Sequence, residues 1–407
     1  MLLKDCRFVL TQDAKRKILE NVDILIQKNT IREIGKGLRV EKNEKVLDCS
    51  SKIVLPGLIN AHTHLGMGLL RGVSDDKELH EWLADVVGRE GKLTEQELYE
   101  GSLAGCKESL RFGTTTVADM YYPLAPTAEA VIDSGIRSWL FISYFNAISP
   151  DLDSDKIREF LLSEEHQAHR RITMGLAPHS PYGCTEELIK GIISYSKKKA
   201  LPKMIHLAET RKEQYDIKRE KGKLPGTYLY DMGFLNGSTL LVHSVWLTKE
   251  ELRMIAKAGA HVVHCPVSNM KLCSGGVMPL KEMQKAGITV ALGTDSVASN
   301  NNLDLFEEMK VAALLHKQHY WDPTIADAQT VLDMATLNGA KALGMEGKLG
   351  ILAAGTLADV ITLDTPLHLT PLEKARVVSH LVYSANGNDI CDVIVDGKLV
   401  LREKEFC

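Results

Sequence analysis

Eight short β-rich apolar runs, each followed by a longer stretch of helical periodicity, constrain this chain more than any other feature. They are 57 to 64, Thr114 to Met120, Trp139 to Tyr144, Ile172 to His179, Met204 to Glu209, Thr239 to Val245, His261 to Pro266 and Thr289 to Asp295. Such alternation is the signature of a parallel sheet built from βα units, and eight strands is the number that closes a (β/α)8 TIM barrel. Amphipathic stretches at Glu95 to Phe112, Glu186 to Lys199, Lys249 to Ala258 and Pro279 to Ala286 lie between the runs, several ending at glycine as helix stops do. Leu303 to His316 and Ile325 to Leu343 follow the last run as further helical stretches.

The two ends have a different texture. Arg7 to Leu10, Val22 to Ile26 and Thr30 to Ile34 alternate apolar and polar positions around turns at Lys28-Asn29 and Gly35-Lys-Gly37, and a similar pattern returns in Ala358 to Leu363 and Asp392 to Val400. At 407 residues the chain is too long for one ordinary core but fits one large barrel with an accessory domain. The expectation is an α/β protein: residues 56–346 form the barrel, and 1–55 with 347–407 form a small composite β-sandwich domain.

Composition narrows the function. A net charge of −4 with Lys and Arg spread along the chain leaves no basic footprint, so no nucleic-acid partner is expected. No run reaches the ~18 apolar residues that span a bilayer, and Met1 to Cys6 lacks the apolar core of a signal peptide, so no membrane association is expected. The eight cysteines are scattered and no two lie three apart, so neither a Cys-x-x-Cys knuckle nor a redox pair is present, and a reducing cytoplasm is the simplest setting.

In a TIM barrel, chemistry sits at the C-terminal ends of the strands. Here those ends carry His62 and His64 after the first run, His179 after the fourth, His206 and Glu209 on the fifth, then His243, His264 and Asp295. That many imidazoles and carboxyls at the ends of apolar runs are expected to converge on one mouth. His62 and His64 share a face of an extended strand and can hold one cation between them. His206 and Asp295 complete a set of three or four N and O donors, as a hydrolytic metal site requires, and zinc in such a site lowers the pKa of a water to about 7. Asp295 can both touch the metal and accept the proton of the attacking water, and His243 is placed to orient that water.

Glu209, at a strand tip, either carries protons to a substrate nitrogen or leaving group, or caps a helix or pairs on the surface. His179, stiffened between Pro178 and Pro181, either contacts substrate or is a satisfied buried histidine. Trp82 and Glu90 fall in the insertion after the first run. They either wall a pocket, stacking on a ring and bonding its hydroxyls, or belong to the core. Ser268-Asn269 and Ser299 to Asn302 either donate to a ligand or form turns and caps, and one of His261 and His264 is a packing histidine. Gly-x-Ser-x-Gly and Gly-x-x-x-x-Gly-Lys-Ser/Thr motifs are absent, and so is the cysteine pair of the small zinc deaminases.

With these residues assembled, the chain resembles the amidohydrolase superfamily, in the branch that deaminates 5′-methylthioadenosine and S-adenosylhomocysteine. The resemblance covers nearly the whole length. It rests on Pro56 to His64, Leu69 to Gly72, Glu81 to Leu83, Gly113 to Met120, Pro178 to Tyr182, His206 to Thr210, Ser268 to Leu272, Leu292 to Ser296 and Leu349 to Asp359. It implies one divalent metal ion per subunit, usually Zn2+, with Fe2+ or Mn2+ as alternatives, held by His62, His64, His206 and Asp295. It further implies that Glu209 and His179 contact the purine and that Glu90 bonds the ribose hydroxyls. No carboxylated lysine is expected, because the fourth run ends in Pro178-His179. Self-association is common in this superfamily, so a homo-oligomer is one partner to expect beside the small-molecule nucleoside.

The expected reaction is metal-dependent hydrolytic deamination of adenosine-type nucleosides to inosine-type products and ammonia. The alternative is an aminohydrolase for guanine, pterin or triazine rings, which would leave Glu90 without a ribose. Phe141 to Asp155 contains no arginine to meet a homocysteine carboxylate. The expected preference is therefore for methylthioadenosine, 5′-deoxyadenosine or adenosine over S-adenosylhomocysteine, unless Arg137 or Arg158 serves instead.

Overall fold

The computed structural model describes residues 1–41, 44–145 and 170–407. Alternating residues at the N-terminus form an antiparallel meander, β1 (Leu2–Leu10), β2 (Ile18–Gln27) and β3 (Thr30–Gly35), with the β2–β3 turn at Lys28-Asn29. β4 (Val46–Asp48) and β5 (Ile53–Pro56) then run parallel to β1 along different halves of it.

The eight expected runs are all strands: β6 (Leu58–Thr63), β7 (Thr114–Tyr121), β8 (Arg137–Tyr144), β9 (Ile172–Pro178), β10 (Lys203–Leu207), β11 (Thr239–His243), β12 (His261–His264) and β13 (Val290–Leu292). They pair in chain order, every pair parallel. The sheet closes on itself through a parallel bridge between Thr63 and Asp295, with the Asp295 N–H donating to His62 O at 3.1 Å. Alternate residues, among them Ile59, Ala61, Phe141, Met204, Val242 and Ala291, fill the barrel interior. The others pack outward on the helices, so the strands are buried on both faces, as a helix-wrapped parallel sheet requires. Where β13 ends, a Cβ on Gly293 would come within 2.9 Å of His62 Cβ, so glycine lets the last strand approach the first.

The C-terminal segment adds β14 (Val360–Leu363), β15 (Ile390–Val395), β16 (Lys398–Arg402) and β17 (Glu405–Phe406). β14 pairs antiparallel with β5, so both ends of the chain form one sheet in the order β17-β16-β15-β14-β5-β1-β2-β3, with β4 on β1. That sheet folds over on itself. β3 returns to the segment before β14, with Ile31 N–H donating to Thr356 O at 2.9 Å and Ala358 N–H to Asn29 O at 2.9 Å. One face encloses Leu3, Val9, Ile24, Val54 and Val360, and the other lays Phe8, Ile53, Leu55 and Ile361 against the barrel's outer core. Arg137 pins the two units together: its guanidinium donates to Asp359 at 2.8 and 2.9 Å and to Asp396 at 3.3 Å, all three side chains buried.

Two expectations on elements are corrected. Ile325 to Leu343 is not one helix but two, Ala328–Met334 and Leu337–Ala342. The break falls at Ala335, whose carbonyl accepts from the N–H of Ile59 in β6 instead of continuing the helical ladder. The last four strands stop two or three residues short of the apolar runs: Ala208, His243 and Asp295 take left-handed φ values of 51°, 67° and 62°, and Pro266 opens a helix after β12. Among the described residues, no helix is long and apolar enough to cross a membrane.

Candidate active site

The C-terminal ends of β6, β10, β11 and β13 bring donor atoms together in two groups that share His62: His62, His64 and Asp295, and His62, His206 and His243. His62 and His64, two apart, share a face of β6 and its extension, and His206 is the fourth residue of β10. Each ring is held from outside through Nδ1: His64 donates to Met120 O at 2.6 Å, His206 donates to His179 O at 2.9 Å, and His62 faces Met204 Sδ at 3.2 Å. A carbonyl accepts only from a protonated nitrogen, so this arrangement leaves the Nε2 lone pairs pointing inward. His62 Nε2 lies 3.2 Å from His206 Nε2, and Asp295 Oδ1 lies 3.5 Å from His62 Nε2 and 3.3 Å from His64 Nε2.

Two inward lone pairs at such a distance repel each other unless a cation lies between them. In a tetrahedral site with metal–ligand distances of about 2.0–2.1 Å, neighbouring donors sit roughly 3.3–3.4 Å apart, and the His62–His206, His62–Asp295 and His64–Asp295 separations match that spacing. Burial keeps the imidazoles neutral, the form that ligates: it pushes His62 down to about 4 and His206 well below the ordinary histidine value. His64 is the exception: burial lowers it, but the neighbouring Asp295 carboxylate, the Asp119 charge and the Met120 carbonyl together outweigh burial and raise it. Burial also works against ionisation of Asp295, but the His62 and His64 imidazoles beside it, with His243, hold its carboxyl well below the usual range. The remaining Asp295 lone pairs are filled by Ser268 Oγ at 2.6 Å, Ser299 Oγ at 3.1 Å and the Ser296 N–H at 2.8 Å.

Two further groups overhang the cluster. His243, at the tip of β11 with φ 67°, has Nδ1 at 3.0 Å from Asn269 Nδ2 and Nε2 at 3.7 Å from Glu209 Oε2. Burial, with the nearby Asp295 and Glu213 charges, pushes the Glu209 carboxyl well above its ordinary value. Beyond them opens a cavity of about 480 Å3, whose far wall holds Trp82, Glu90 and Tyr121 and whose side carries His179. Trp82 packs with Leu70, Leu79 and Val86 while donating its indole N–H to Ala298 O at 3.4 Å, so it serves both the core and the wall. Burial raises the Glu90 carboxyl, and the neighbouring Tyr121 hydroxyl opposes that without forming an aligned hydrogen bond.

A model of the amidohydrolase family matches residues 53–400. The chain belongs to the amidohydrolase family. Among curated amidohydrolase relatives, the 5-methylthioadenosine/S-adenosylhomocysteine deaminase of Thermococcus sibiricus is 44% identical over 399 residues, covering 97% of this chain and 92% of that protein. The 5′-deoxyadenosine deaminase of Methanosarcina barkeri is 42% identical over 401 residues, covering 97% and 91%. An adenosine deaminase from Xanthomonas campestris, solved with bound zinc, superposes with a TM-score of 0.93 at 31% identity, covering 100% of this chain and 94% of that one.

In this amidohydrolase, the strand-end residues read from the sequence meet at one mouth with a single exception. His264 turns outward, where its Nε2 lies 3.2 Å from that of His316 on helix Leu305–Tyr320. His261 packs at the opposite end of β12 against Gly237 O at 3.2 Å. Ser268, Asn269 and Ser299 brace Asp295 and His243, while Asn300 holds Thr294 O and Glu308. Two residues escaped the sequence reading. Tyr121 carried no signal beyond directly following the second apolar run, whose strand it ends. Glu213 carried one: Thr210 to Glu213 has the spacing of a capping box. Its buried carboxylate accepts instead from the N–H groups of Ala208 at 2.8 Å and Glu209 at 3.0 Å.

Proposed function

We propose that this chain hydrolytically deaminates adenosine-type nucleosides, releasing ammonia and an inosine-type product. The observation that carries the reading is the cluster of His62, His64, His206 and Asp295 at the barrel mouth with the Glu209 carboxyl and His243 overhanging it, 3.7 Å apart. Burial pushes the Glu209 carboxyl up while the neighbouring imidazoles hold Asp295 down, the direction in which an acid and a base must part to work at one pH. The names of the curated relatives support the nucleoside class.

His62, His64, His206 and Asp295 would hold one divalent cation, which we take to be zinc rather than Fe2+ or Mn2+. When bound, such a cation supplies the Lewis acidity that makes a water nucleophilic near pH 7. Asp295 accepts the proton that the water loses, and His243 orients the water through Nε2. Glu209 gives its proton to the ring nitrogen beside the amine-bearing carbon, which draws electrons from that carbon as it becomes tetrahedral. The proton held by Asp295 then passes to the amine, the C–N bond breaks with release of ammonia, and the hydroxyl proton returns to Glu209 as the carbonyl forms. His179 contacts the purine, Trp82 stacks on the wall, and Glu90 accepts hydrogen bonds from the ribose hydroxyls.

We further propose that uncharged 5′ groups are preferred. Arg137, which the sequence left open as a partner for a homocysteine carboxylate, begins β8 at the end away from the mouth and is committed to Asp359 and Asp396. Arg158 lies outside the described residues. All eight cysteines are free, which supports a reducing, cytoplasmic setting. The test is ammonia release from 5′-methylthioadenosine, 5′-deoxyadenosine, adenosine, S-adenosylhomocysteine, guanine and a pterin. Turnover confined to guanine or the pterin overturns the nucleoside assignment, and equal kcat/KM on S-adenosylhomocysteine overturns the preference.

A further inference from the structure

At the opposite end of the barrel from the mouth, Lys203 opens β10 with only 2% of its surface exposed. A buried ammonium needs a counter-charge, and among the described residues no carboxylate lies within ion-pair distance of it. Its Nζ sits 3.4 Å from Ser196 Oγ and over the ring of Phe234 at 5.5 Å from the centroid. The end of helix Glu186–Lys199 does not supply the missing acceptors. Ser196 O takes the N–H of Leu201 and Leu201 O takes the Ser196 hydroxyl at 2.7 Å, and among the described residues Lys203 Nζ bonds neither carbonyl.

Lys203 instead lines a cleft of about 370 Å3 together with Ser196, Lys197, Asn236 and Ser238. The lining contains two lysines, two hydroxyls and an amide, but no acid. Lys197 likewise has no ion-pair partner among the described residues. Burial alone draws the Lys203 amine down to about 8, as expected for a cation whose counter-ion is missing.

We infer that this cleft at the foot of β10 binds a small oxyanion, a carboxylate or a tetrahedral dianion, between Lys203 and Lys197. The anion supplies the charge that the chain does not, with the Asn236 Nδ2 amide at the rim as a neutral donor, its Oδ1 being held by the Ser238 hydroxyl at 2.8 Å. The site is separate from the mouth, although Met204, the next residue, touches His62.

The test is the melting temperature of the metal-loaded protein against sodium sulfate and, separately, sodium acetate, each at ionic strength matched with sodium chloride. A saturable rise is expected for the wild type with at least one of the two, and which one responds identifies the anion class. Lys203→Met removes the buried charge while keeping the stem. It is expected to fold and to weaken the apparent affinity at least tenfold. Lys197→Gln, a change on the surface, is expected to weaken it about threefold and guards against a misfolded Lys203 variant. An unsaturating rise identical in wild type and variants, or no rise with either anion, overturns the inference.

Discussion

At the residue scale, Glu209 and Asp295 matter because burial and hydrogen bonding divide two carboxyls into an acid and a base. Glu209→Gln keeps the shape of the side chain but has no proton of suitable acidity to give. Its kcat should fall by about 100- to 10,000-fold while KM and bound metal stay near wild type, measured by steady-state kinetics with metal analysis. Lys203 supplies a pH test. Its amine falls from an ordinary 10.5 to about 8 on folding. Between those values the unfolded chain binds a proton that the folded chain lacks, so wild-type stability rises with pH across that window. Lys203→Met cannot show this rise, and its stability advantage over wild type should shrink by on the order of 3 kcal/mol from pH 8 to pH 10.5 in denaturant titrations.

At the element scale, the barrel was legible because parallel strands buried on both faces read as continuous apolar runs, and each of the eight runs is a strand. The ligand-bearing ends were legible for a related reason: a polar side chain has little cause to end such a run unless it serves the mouth. His264 shows where that logic stops. Histidine at a strand end can turn back between strand and helix, and its partner His316 lies 52 residues away. Glu213 shows the complementary loss. Its spacing from Thr210 announced a helix cap, but only the fold reveals that its carboxylate spans the N–H groups of Ala208 and Glu209 and so fixes the loop that presents Glu209. Glu213→Gln keeps one acceptor for two donors. It should cost about 1–3 kcal/mol of stability and lower kcat more than it raises KM, and Glu213→Ala should do more of both.

At the scale of the whole molecule, the two ends of the chain meet in one folded sheet docked on the barrel, and Arg137 is the ion that couples them. Arg137→Ala leaves Asp359 buried without its cation and Asp396 with Arg170 alone, and thermal unfolding should show a loss of about 3–5 kcal/mol. The pairing of β5 with β14 was foreshadowed by matching β texture at both ends, whereas the Arg137 link was invisible because its partners lie 222 and 259 residues away. The central claim joins the fold to the reaction: a barrel mouth that uses one metal ion to take the amine from an adenosine-type nucleoside. The most direct measurement is ammonia release from 5′-methylthioadenosine by chelator-stripped protein titrated with Zn2+. The account predicts no turnover without metal and full turnover restored at one equivalent per chain. Undiminished turnover in metal-free protein, or no turnover of any 6-aminopurine nucleoside at metal saturation, would contradict it.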